Sequence, residues 1–232
     1  VKHLVLLHGW AGHSGLWGDF TTQLSQHYRV TLIDLPWRDS LKEISDEIVA
    51  ELDDEPFYLL GWSLGGTVAL DIAARYANCV QGVILMAANP CFVSKENWNG
   101  MPVKTFDAFA EQLHANPTVT LQRFLMLQLQ GSPTFLKEVK RRFSLKPLPE
   151  LADLETSLSL LKTSDLRMIL AELKCPVVAI LSDNDALIPV EVGQQMQALQ
   201  PNLQLIILKN ATHIPFVIQP ENCLNAILNV IR

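Results

Sequence analysis

Short runs of apolar residues alternate along the chain with stretches in which apolar residues recur every three or four positions. Six of the runs have strand length: His3 to Leu7, Arg29 to Leu35, Phe57 to Leu60, Val80 to Met86, Val177 to Leu181 and Leu203 to Leu208. Their near-continuous apolar character is what a strand covered on both faces requires. Between the second and third runs, Ser40-Leu41-Lys42-Glu43 reads as a capping box, and Ile44, Ile48 and Leu52 follow at helical spacing. Strands and helices in this alternation predict an α/β fold with a mostly parallel sheet and helices on both faces.

The alternation stops near Pro90 and resumes near Cys175. The residues between carry helical periodicity and no convincing strand. Pro102, Pro117, Pro133, Pro147 and Pro149 divide them into about four helices, since proline is tolerated in a first turn but not in a helix interior. Residues 91–170 are therefore expected to form a helical lid on a core made of residues 1–90 and 171–232.

At 232 residues, 49% hydrophobic and 18% charged, the chain is globular. A chain of this length buries about 70% or more of its unfolded surface without a metal or disulfide staple. The net charge of -6 has the wrong sign for a protein that tracks a phosphate backbone, which argues against nucleic-acid binding. No apolar run approaches the roughly 20 residues of a membrane span. Val1-Lys2-His3 leads straight into the first strand without a signal-peptide pattern, so a cytoplasmic protein is expected. Cys79, Cys91, Cys175 and Cys223 lie far apart, with no His at ligand spacing, and are expected to be free core thiols; no metal or other cofactor is implied.

Charge is uneven. Residues 91–170 hold ten Lys or Arg against eight Asp or Glu, a net of +2, so the remaining chain carries -8. Lys137, Lys140 and Arg141 fall at i, i+3 and i+4 on one helical face, with Arg142 and Lys146 adjacent. This is either a solvated helix face or a landing site for an acidic partner.

The chemistry concentrates at strand ends. Gly61-Trp62-Ser63-Leu64-Gly65-Gly66 follows one strand and opens a helical stretch, Thr67 to Arg75, the context in which a G-x-S-x-G turn lifts a serine hydroxyl above a sheet edge. A serine needs a general base, normally a histidine oriented by a carboxylate. His213, in the loop after the last strand, has the fitting position, whereas His8 at the end of the first strand fits shaping its own loop. Of the two carboxylates after the fifth strand, Asp185 leaves chain enough to turn back toward the imidazole, and Asp183 is suited to capping the turn. The order Ser63, Asp185, His213 is the one this architecture uses. Gly9 frees the following N–H, so the main chains of Trp10 and Leu64 are candidate donors to a developing oxyanion; the Trp10 side chain is also compatible with a packing role.

These residues resemble the α/β-hydrolases, and within them the BioH-type pimeloyl-acyl-carrier-protein methyl ester carboxylesterases of biotin synthesis. The likeness spans nearly the whole chain: Leu6-Leu7-His8-Gly9-Trp10, Asp34-Leu35-Pro36, the serine motif, Asn89-Pro90-Cys91-Phe92, Arg123-Phe124-Leu125-Met126-Leu127-Gln128, Leu161-Lys162-Thr163 with Asp165-Leu166-Arg167, and Ala211-Thr212-His213-Ile214-Pro215-Phe216. The Trp beside the serine and the Arg-Phe-Leu-x-Leu-Gln and Lys-Thr-x-Asp-Leu-Arg words are the more specific ones. The chain departs from the family where Trp37-Arg38-Asp39-Ser40 replaces a Gly-rich turn, and it begins at the first motif strand without the strands that usually precede it.

The resemblance implies a catalytic triad of Ser63, Asp185 and His213 and an oxyanion hole from Trp10 and Leu64. It implies substrate contacts from Trp10, Trp62, Leu64 and His213, and an acyl channel lined by Phe124, Leu125, Met126, Leu127 and Gln128. It further implies docking of an acidic acyl carrier protein on Arg123, Lys137, Lys140, Arg141 and Arg142 by a monomeric enzyme. A broad-specificity short-chain esterase of the same fold is the alternative. A non-catalytic ligand receptor on this scaffold is disfavoured by the complete triad.

Overall fold

The structure, a computed structural model, describes residues 1–231. Six strands form one sheet in the order β2-β1-β3-β4-β5-β6: β1 (His3–Leu7), β2 (Arg29–Ile33), β3 (Phe57–Trp62), β4 (Val80–Met86), β5 (Val177–Ser182) and β6 (Gln204–Leu208). All five pairings are parallel. The strands are those expected from the apolar runs, with differences at their ends. β2 stops at Ile33 because Leu35 N–H leaves the ladder and donates to His8 Nε2. β3 runs on through Gly61 and Trp62 until Ser63 N–H donates to Met86 O.

Side chains alternate between the two faces of the sheet. Val5, Leu7, Leu59, Val83, Leu85, Ala179 and Leu181 face one core, closed by α2 (Leu41–Ala50) and α3 (Leu64–Arg75). Leu4, Leu6, Leu60, Ile84, Met86, Val178 and Ile180 face the other, closed by α1 (Asp19–Ser25) near the N-terminus and by the last helix of the chain. Ser40 caps α2 as expected, its Oγ accepting from Glu43 N–H at 3.2 Å, but the reciprocal half of the capping box is altered, because the Glu43 carboxylate accepts from Ser40 Oγ at 2.9 Å in place of the Ser40 N–H.

Between β4 and β5 lie α4 (Val103–Ala115), α5 (Pro117–Gln128), a 3-10 turn (Pro133–Phe135), α6 (Leu136–Phe143), α7 (Leu151–Thr163) and α8 (Arg167–Glu172). Pro117 and Pro133 sit in first turns and Pro102 at the start of α4, as their missing N–H groups require. The fifth helix beyond the expected four is the short α8. It begins where Asp165 Oδ1 accepts from Arg167 N–H. Leu166 N–H donates to Pro90 O at 2.8 Å, so the two ends of the insertion meet beside the sheet. After β5 come α9 (Val192–Leu199), α10 (Pro215–Ile218) and α11 (Pro220–Val230), and α11 completes the second core.

All four cysteines are free thiols. Cys91 and Cys223 are core residues, and burial pushes the Cys223 thiol up to about 12, whereas Cys79 and Cys175 are only half-buried. Among the described residues no helix is long and apolar enough to cross a membrane.

Candidate active site

Ser63 occupies the junction of β3 and α3 with φ +55° and ψ -119°, a left-handed conformation that costs a non-glycine residue of order 1–3 kcal/mol. Strand and helix meet there too closely for side chains. A Cβ on Gly61 would strike the Gly65 main chain, and one on Gly65 would strike the Leu7 carbonyl. The glycines thus permit the turn that raises the Ser63 hydroxyl at the carboxyl end of the sheet.

His213 reaches this hydroxyl from the loop after β6. Its Nε2 lies 3.0 Å from Ser63 Oγ, and its Nδ1 lies 2.8 and 3.1 Å from the two Asp185 oxygens. The carboxylate can only accept, so Nδ1 carries the proton and Nε2 is free to accept from the serine. The His213 and Asp185 side chains are 0% and 1% exposed. Asp185 Oδ1 also accepts from Leu187 and Ile188 N–H, which fixes the carboxylate. Asp183 does not cap its own turn but holds the loop after β6, where its Oδ1 accepts from Asn210 N–H at 2.7 Å.

Residues Gly9 to Gly12 form a tight turn closed by Gly12 N–H to Gly9 O, with Ala11 at φ +56°. His8 holds its base. Because His8 Nε2 accepts from Leu35 N–H, Nδ1 bears the proton and donates to Gly9 O at 2.8 Å. Burial lowers the His8 pKa to about 4, so the ring is neutral in the folded protein. The N–H groups of Trp10 and Leu64 donate to no protein acceptor among the described residues. Both are available to a negatively charged oxygen.

Ser63 opens into a cavity with about 530 Å³ of empty space, its mouth included. The walls are Trp10, Phe92, Met101, Leu187, Phe106 and Phe109 of α4, Phe124 and Leu127 of α5, and Leu158 and Leu161 of α7; Ser63 and Thr105 supply the hydroxyls. The pairs Phe106/Phe109, Phe124/Leu127 and Leu158/Leu161 each stand at i, i+3, so one stripe of each helix faces inward. The first and third pairs escaped the sequence reading, and that spacing was the signal for them.

Helical geometry corrects the expected channel. Of Phe124 to Gln128, only Phe124 and Leu127 line this cavity. Met126 turns outward and is 49% exposed, Leu125 packs in the second core, and Gln128 is buried facing a separate, more open cavity between α5 and α6 with about 810 Å³ of empty space, its mouth included. Trp62 and Leu64 do not line it either, being buried in the two cores. Trp62 instead donates through Nε1 to His213 O at 2.7 Å, from beneath the histidine loop.

The basic face is also partly corrected. Arg142 is 7% exposed and donates to Leu16 O, Trp17 O and Glu138, so it is an internal tie. Glu138 also binds Arg141, and the two guanidinium groups lower the Glu138 carboxyl to about 2. Lys146 pairs with Asp34. Arg123, Lys137 and Lys140 are exposed and make no ion pair among the described residues; Arg123 and Lys140 flank one open groove with Met126 and Leu127.

The family model described as "Alpha/beta hydrolase family" matches residues 4–226. The chain is similar to the pimeloyl-[acyl-carrier protein] methyl ester esterases of Proteus mirabilis, 35% identical over 94% of this chain and 88% of that one, and of Nitrosomonas europaea, 36% identical over 97% and 94%. Its fold is similar to that of a bromoperoxidase from Bacillus anthracis, with a TM-score of 0.88 and 19% identity over 99% of this chain and 91% of that one. With the family model matching residues 4–226, nearly its full length, the chain belongs to the alpha/beta hydrolase family.

Proposed function

We propose that the protein is a serine carboxylesterase that cleaves the methyl ester of a pimeloyl chain carried on acyl carrier protein, a step of cytoplasmic biotin synthesis. The carrying observation is the hydrogen-bonded series Ser63, His213, Asp185, whose serine opens into an apolar cavity. The curated relatives, named for this reaction, support the choice of ester.

In this reading Ser63 Oγ attacks the ester carbonyl carbon while His213 Nε2 takes its proton. The carbonyl oxygen becomes an oxyanion that receives the Trp10 and Leu64 N–H groups, an interaction worth roughly 3 kcal/mol per donor. The tetrahedral adduct collapses, and His213 returns the proton to the departing methoxide, releasing methanol. Water then attacks the acyl-serine by the same route, yielding the free acid and restoring Ser63. Methanol offers almost no surface to bind, so affinity comes from the acyl chain against the Phe and Leu walls. The helices from α4 to α7 act as the lid. Arg123, Lys137 and Lys140 meet the acidic carrier, with Arg141 and Arg142 held back by Glu138.

The test compares the carrier-bound methyl ester with p-nitrophenyl acetate. Ser63→Ala should abolish turnover of both. Arg123→Glu with Lys140→Glu should raise KM for the carrier ester, more so at low salt, and leave the small ester unchanged. An equal response of both substrates would favour a short-chain esterase of broad specificity.

A further inference from the structure

Trp10 belongs to two parts of the molecule at once. Its main chain lies in the turn beside Ser63, while its side chain, 2% exposed, is enclosed by the insertion. The indole Nε1 donates to Leu154 O in the first turn of α7 at 3.0 Å. Phe109 of α4 and Phe124 of α5 meet the ring edge-on, with centroids 5.6 and 5.0 Å away. The same two phenylalanines line the cavity above Ser63. The following residue, Ala11, is held at φ +56°, a conformation that persists only where its surroundings enforce it. His8 grips the turn from the sheet, and Trp10 grips it from the helices.

We propose that Trp10 is a positioning residue that couples the helical insertion to the oxyanion hole. Seating α7 on the indole aims the Trp10 N–H at the site of the oxyanion. An acyl chain lying against Phe109 and Phe124 presses on the same ring, so its binding is expressed as transition-state stabilisation and raises kcat rather than only lowering KM. This rests on the esterase reading above.

The test is Trp10→Phe, which keeps an aromatic ring and removes the donor. For a p-nitrophenyl ester with a long acyl chain, kcat should fall by roughly 10- to 100-fold with KM little changed, and for the acetate it should fall much less. Affinity for an alkyl boronic acid, which forms a tetrahedral adduct with serine, should fall by the factor seen in kcat/KM. A raised KM at unchanged kcat, or an equal loss with both esters, would overturn the coupling and leave Trp10 as a wall or a static support.

A second measurement needs no variant. Hydrogen exchange is followed after Ser63 of the natural protein has been phosphonylated with a methyl or an octyl fluorophosphonate. The octyl adduct should protect amides 9–12 and 151–157 together, and protection of 151–157 alone would overturn the proposal. Failure of the reagent to label Ser63 would instead overturn the esterase reading, so the two are distinguishable.

Discussion

The sheet and the helical insertion build one site by different physical means. On the sheet side the reacting side chains are joined by directed hydrogen bonds: Ser63 with His213, His213 with Asp185, Asp185 with two main-chain N–H groups, and His8 with Gly9 and Leu35. The insertion presents Ser63 with a wall of Phe and Leu side chains, and polar groups such as Arg142 and Lys146 tie it down. Chemistry that depends on direction resides where parallel strands end together, and shape selection resides where helices can be repacked without disturbing it.

The contrast breaks most severely at the carboxylates. Asp185→Asn should leave His213 with the wrong tautomer and lower kcat by roughly 10⁴-fold. Asp183→Asn, two residues away but facing Asn210 N–H, should stay close to the natural rate. Steady-state kinetics on the two variants decide it, and reversed effects would transfer the role to Asp183.

Next in size is the anchoring of α6. Arg142→Ala strips a buried cation from two carbonyls and Glu138, and should cost about 3 kcal/mol in urea unfolding. Arg141→Ala, at an exposed and solvent-screened pair with the same Glu138, should shift the unfolding midpoint far less than Arg142→Ala.

On the sheet side a smaller effect follows from His8. Its folded value of about 4 lies below the ordinary 6.5, so between these values the unfolded chain binds more protons. Stability is complete above 6.5 and declines as pH falls toward 4, by about 2 kcal/mol between pH 7 and pH 5. His3 and His13, also lowered by burial, act in the same direction. His8→Asn should remove most of the slope; an unchanged slope would assign it to the other two.

The smallest contrast lies within α5. Leu127→Ala should raise KM for a long-chain ester by about fivefold through lost apolar contact, whereas Met126→Ala on the outer face should not.

What was legible in the sequence divides along the same line. The apolar runs, the Ser63 turn and the order of Ser63, Asp185 and His213 could be read because strand burial and elbow geometry dictate residue type locally. The insertion was legible as helices but not in orientation. Five consecutive residues from Phe124 to Gln128 cannot share a face at 3.6 residues per turn, and which of them turn inward depends on how α5 packs against α4 and α6. Arg142 reads as a surface cation beside Arg141. Only the fold brings it to Leu16 O and Trp17 O, which lie more than a hundred residues earlier. Trp62 reads as a neighbour of the nucleophile, yet pleat alternation sends its ring to the opposite face, under His213.

The most direct test of the division between a reacting sheet edge and a selecting insertion is covalent. A fluorophosphonate is applied to the natural protein and to His213→Ala, and the adduct is located by peptide mass mapping. A single adduct on Ser63, formed at least roughly 10³-fold more slowly without His213, is the predicted result. An adduct on another residue, or labelling of His213→Ala at the natural rate, would contradict it.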